Sequence, residues 1–212
     1  MKTRLKGLFV LLVPLLAISA CISLPPLLGG AKESAPEAIY TLHAGDTPFG
    51  VPAKGGPVVV VPKPELPAGF DTERIALHFD DGRRLDYYAD AKWSARLDAL
   101  LQDFMVQKVK QKMPQKIVGT PDLGSSAKYK LALKFNEFGP VYEGMPDKPP
   151  RLDVGVTVTV ISMPRETVAA QFTLKKSAPV AANNLTTITG GLEKLLQEVT
   201  DEVLRRAAPN LG

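Results

Sequence analysis

Apolar and polar positions alternate along most of this chain with one of two periods, and the period names the element. Residues 39–42 (Ile, Tyr, Thr, Leu) read as a short first strand. A turn-rich loop over 45–57 leads into Val58, Val59, Val60 and Val61, a continuous apolar run between prolines that suits a strand buried on both faces. Residues 74–79 and 84–88 flank Asp80-Asp81-Gly82, and Asp-Gly between two strand-like runs predicts a hairpin. Over 93–109, Trp93, Leu97, Leu100, Leu101, Phe104, Met105 and Val109 recur at three- and four-residue spacing, the stripe of a helix that Pro114 must end. Ile117-Val118 suggests another short strand, and 129–135 alternates Tyr129, Leu131, Leu133 and Phe135 against Lys130, Ala132 and Lys134.

A second hairpin follows. Leu152, Val154, Val156, Val158 and Val160 share one strand face, with Asp153, Thr157 and Thr159 opposite. The partner strand over 167–175 points Val168, Ala170, Phe172 and Leu174 inward, and residues 163–166 make the turn. The last stripe is Ile188, Leu192, Leu195, Leu196, Val199 and Val203; Gly190-Gly191 costs its first turn roughly 1 kcal/mol per glycine, so the secure helix is 192–207. Hairpin-connected strands with two intervening helices predict an α+β fold, a mixed, largely antiparallel sheet with two main helices packed on one face. This domain covers residues 38–212.

What precedes it has neither period. Residues 8–17 are apolar, follow Lys2, Arg4 and Lys6, and lead to the small Ser19 and Ala20. A spanning helix needs about 20 apolar residues, so the run is too short to anchor a protein and has the form of a signal peptide, residues 1–20. Residues 21–37 carry Pro25, Pro26, Gly29, Gly30, Ser34 and Pro36 and read as a flexible tether, with a reach on the order of 50 Å at ~3.3 Å per residue.

The single cysteine, Cys21, sits where signal and tether meet. Ile18-Ser19-Ala20-Cys21 resembles the lipobox of bacterial lipoproteins, which implies cleavage between Ala20 and Cys21 and a covalent diacylglycerol and N-acyl chain, palmitate among them, on Cys21. At ~0.8 kcal/mol per buried CH₂, three such chains hold a protein firmly on a membrane, and acylation removes an odd thiol from an oxidising compartment. Ile22, in place of Asp, favours the outer membrane over the inner by resemblance to the sorting rule of enteric-type bacteria. Loss of Lys2, Arg4 and Lys6 lowers the formal charge from +4 to +1, so no nucleic-acid partner is indicated.

The chemistry expected of an enzyme is sparse. A serine or cysteine nucleophile needs a base, and the chain has only His43, in a loop, and His78, inside a strand. Gly-x-Ser-x-Gly and phosphate-loop motifs do not occur, two separated histidines make no zinc site, and Asp80-Asp81-Gly82 fits a turn better than a calcium loop. No catalytic residue, metal or further cofactor is expected. Tyr87, Tyr88 and Trp93 cluster where a strand hands over to a helix in a chain poor in aromatics. They form a candidate partner interface, against the plainer reading that they pack the sheet–helix junction.

Arg74-Ile75-Ala76-Leu77, then Leu85-Asp86-Tyr87-Tyr88, then Trp93 resemble the ABC-type transport auxiliary lipoproteins, the PqiC-like family. The likeness extends to Tyr40-Thr41-Leu42, Tyr129-Lys130-Leu131 with Glu137-Phe138, the second hairpin and the closing helix; Ser94-Ala95-Arg96-Leu97 departs from it where the family often has proline. The resemblance implies a non-enzymatic periplasmic component working with an MCE-domain protein, an inner-membrane permease and an ATPase to move lipids or other hydrophobic molecules. It also implies a homo-oligomer, such as a ring of several copies. Docking to the MCE channel is the favoured reading; a carrier holding lipid in its own apolar cavity is the alternative, and a hydrolase comes third.

Overall fold

The computed structural model describes residues 37–45, 55–79, 82–144 and 146–212. Ala20, Cys21, the signal segment, the tether up to residue 36 and the expected turn residues Asp80 and Asp81 lie outside them. In chain order the elements are β1 (Ala38–Tyr40), β2 (Val58–Val60), β3 (Arg74–Phe79), β4 (Arg84–Trp93), α1 (Leu97–Lys112), β5 (Ile117–Gly119), β6 (Tyr129–Tyr142), β7 (Arg151–Ser162), β8 (Thr167–Pro179) and α2 (Leu185–Ala207).

β6 organises the sheet. One of its edges pairs antiparallel with β7 from Tyr129↔Ser162 to Val141↔Arg151, and β7 pairs antiparallel with β8. The other edge is shared: its C-terminal end runs parallel to β3, which continues into β4 and β1, and its N-terminal end runs parallel to β2, which continues into β5. The sheet is therefore mixed, its long ladders antiparallel and its short ones mostly parallel, and the chain is α+β as the pattern predicts.

Alternation sets the layers. Leu131, Leu133 and Phe135 face Val160, Val158 and Val156 across the β6–β7 ladder, all nearly inaccessible. A bulge between Phe135 and Glu137 shifts the phase, so Phe138 also turns inward and meets Phe135 edge-on at 5.7 Å. The buried stripe of α2, Ile188 to Val203, lies on β7 and β8, and α1 packs beside it. At Gly191 an added Cβ would stand 2.8 Å from Leu152 Cδ1, so glycine lets the helix approach β7 closely. Each fully buried Val or Leu contributes roughly 1.5–3 kcal/mol, which makes this layer the bulk of the core.

Four expectations are corrected. α1 starts at Leu97 rather than at residue 93, because Trp93 belongs to β4: it pairs with Tyr40, and its N–H donates to Glu73 O at 2.7 Å. α2 starts at Leu185 rather than 192, since Asn184 caps it by accepting from Thr187 N at 2.9 Å and offsets the glycines. β6 runs on to Tyr142, past the clear alternation. Val168, expected inward, is 58% exposed: a bulge between Val160 and Ile161 pairs it with Ile161 and turns it to the outer face.

Candidate functional site: an aromatic cleft beside the start of helix α2

Three clefts converge on the end of the sheet where β6 finishes and β7 begins, and they share Val141, Tyr142 and Arg151 in pairs. The one on the helix side, about 380 Å³, lies between the sheet and the first turn of α2. β3 supplies Leu77 and Phe79, β4 supplies Tyr88, β6 supplies Tyr142, and α2 supplies Leu185 and Ile188. Strand alternation is what aims Leu77, Phe79, Tyr88 and Tyr142 the same way; Leu77, Phe79 and Tyr142 form a small buried cluster, and Tyr88 packs against both it and the main core.

A hydrogen-bond chain crosses the cleft. Tyr142 Oη donates to Asn183 Oδ1 at 2.7 Å, so in the Tyr88–Tyr142 contact at 2.8 Å it is Tyr88 that donates. Asn183 Nδ2 then donates to Pro146 O at 2.7 Å. Burial, followed by the hydrogen bond to Tyr142, raises the Tyr88 pKa and keeps the phenol protonated. The chain therefore runs in one direction, from Tyr88 through Tyr142 and the Asn183 amide to the carbonyl of Pro146.

A second cleft, about 370 Å³, opens on the opposite face and is charged rather than aromatic, with His78, Glu137, Asp153, Arg151 and Lys175 around it. Asp153 is buried; desolvation opposes its ionisation, but hydrogen bonds from Arg151 and Ser177 and the charges of Arg151 and Lys175 outweigh that and lower its pKa. Lys175 Nζ also stands 2.7 Å from Glu137 Oε2. The third cleft, about 470 Å³, runs between residues 148–151 and the end of β8.

Tyr87, Tyr88 and Trp93 do not form one surface. Trp93 is 2% exposed and sits in the main core, so it is removed from the candidate interface: a side chain with no accessible area offers a partner nothing. Tyr87 projects to the opposite face from Tyr88, donates to Gly69 O at 2.9 Å and carries Arg74 at 3.8 Å over its ring. Tyr88 alone of the three reaches the aromatic cleft. Sequence reasoning missed its companions Tyr142, Asn183 and Leu185; the one available signal was Asn183-Asn184 ahead of the last apolar stripe, a capping pattern.

Neither histidine lines the aromatic cleft. His43 is engaged through its backbone, with N donating to Glu193 Oε2 and O accepting from Gln197. His78 stacks on Phe70 at 5.1 Å and its buried Nδ1 has no hydrogen-bond partner among the described residues. Those residues include no group of three or more His, Cys, Asp or Glu placed to hold a metal ion, and no helix long and apolar enough to cross a membrane.

Fold and clefts together define an α+β domain with clefts at one end of its sheet. The chain belongs to the ABC-type transport auxiliary lipoprotein component family, whose model matches residues 40–204. That family is one of transport auxiliary lipoproteins, not a known enzyme family. The crystal structure of a Xanthomonas campestris protein is similar at 21% identity and TM-score 0.67, covering 79% of this chain and 92% of that one. The crystal structure of an uncharacterized protein matches at 13% identity and TM-score 0.62, with 81% and 99% covered. At such identities the likeness shows a shared fold. No curated protein matches the chain.

Proposed function

We propose that this lipoprotein is held at the periplasmic face of the outer membrane by acyl chains on Cys21 and serves an ABC transport system by docking onto its MCE-domain protein, helping hydrophobic molecules pass between membranes. The family match over residues 40–204 carries the reading. The domain's build agrees with it: among the described residues, the space between β6–β7 and α2 is filled by side chains 0–4% exposed and holds no room for cargo there. The permease and ATPase of the same system would supply translocation and energy. Tagged protein purified from detergent-solubilised membranes is expected to bring an MCE-domain protein with it; repeated recovery of active bait without one would sink the docking reading.

A further inference from the structure

We propose that His78 and Glu137 form a proton-operated switch in the charged cleft: a proton gained by His78 draws the Glu137 carboxylate away from Lys175 and frees the lysine. The switch needs no docking partner. The ion pair it breaks is strung across a glycine. Glu137 of β6 and Lys175 of β8 both pair with Gly155, on the strand between them. With no side chain in the way, Lys175 Nζ reaches over β7 to within 2.8 Å of Glu137 Oε1 and 2.7 Å of Oε2. Only Oε1 receives a directed hydrogen bond; Oε2 is buried without one among the described residues, and so is Nδ1 of His78.

These two orphaned atoms belong to residues that line the same 370 Å³ cleft. One proton serves both, because an imidazolium carries a hydrogen on each nitrogen and a carboxylate oxygen only accepts. The surroundings leave Glu137 as the acceptor. Beside His78 stand Leu85 of β4 and Val141 of β6, and Phe70 covers one face of the ring. The charged groups around the cleft are Glu137, Asp153, Arg151 and Lys175. Asp153 is committed, since Arg151 Nε and Nη2 donate to its two oxygens at 2.9 and 3.1 Å. Glu137 is held by Lys175, whose side chain is 54% exposed and free to move out into water. Burial keeps the ring neutral at pH 7, and of the two carboxylates that oppose burial Glu137 is the stronger. Acid therefore throws the switch, leaving the cleft one charge more positive with Lys175 released.

The test uses the mature chain with Cys21→Ser, isotope-labelled and titrated by NMR from about pH 8 to about pH 5, above the ordinary carboxylate range near ~4.3. The ring nitrogens of His78 and the terminal CH₂–NH₃ group of Lys175 are followed together. In the native pair both should move with one midpoint, below the ordinary histidine value of ~6.5, as Nδ1 gains its hydrogen. His78→Phe, which keeps the ring contact, should abolish the Lys175 step. Glu137→Gln should lower the His78 midpoint and leave Lys175 in its released position throughout. A Lys175 step that persists in His78→Phe overturns the proposal, as does a His78 that takes up its proton while Lys175 stays still, or a His78 midpoint unmoved by Glu137→Gln.

Discussion

His78 occupies a strand position where one ring face meets Phe70 and Nδ1 is sealed from water. Burial lowers its pKa, outweighing the opposing pull of Glu137 and Asp153. An unfolded histidine titrates near ~6.5. Just below that value the unfolded chain therefore binds more protons than the folded one, and acid destabilises the fold through this residue. Urea midpoints are expected to fall between about pH 7 and 5, with a shallower fall in His78→Phe, which keeps the ring contact; equal slopes would contradict the assignment. The same scale shows what a residue list conceals. Tyr87, Tyr88 and Trp93 look like one cluster in the sequence, but strand alternation separates the tyrosines and the pairing with Tyr40 draws Trp93 into the core. Only Tyr88 was legible as part of the cleft, because its companions come from residues 54 and 95 positions further on.

At the scale of elements, periodicity was a dependable guide where one face is buried along its whole length, as in β7, with Leu152 to Val160 inward. It failed where a single residue resets the phase or a cap outweighs a poor propensity. Val168 has the right parity for the core, and one bulge puts it outside. Gly190 and Gly191 look alike in sequence, yet Gly190 has open space where a Cβ would be and Gly191 has Leu152 at 2.8 Å. Gly190→Ala should therefore raise stability by roughly 0.5–1 kcal/mol, the helix-propensity gain. Gly191→Val should lower it by about 1–3 kcal/mol through overpacking. Thermal melts of the two variants decide the matter, and a stabilised Gly191→Val would mean that α2 does not press on β7 as described.

The described residues form an α+β domain with a filled core, with ion pairs such as Arg151–Asp153 and Lys175–Glu137, and with three clefts at one end of the sheet. This fold class was legible in the hairpins and helical stripes. The forked sheet, in which β6 shares one edge between β3 and β2, was not, since parallel pairs between distant segments leave no local signature. Everything proposed for the domain depends on its working from a membrane to which Cys21 ties it. The most direct measurement is labelling of cells with radioactive palmitate, for the native chain and for Cys21→Ser. The native chain should carry label and sediment with membranes, and Cys21→Ser should lose both; a native chain without label, or a Cys21→Ser chain that keeps it, would contradict the account.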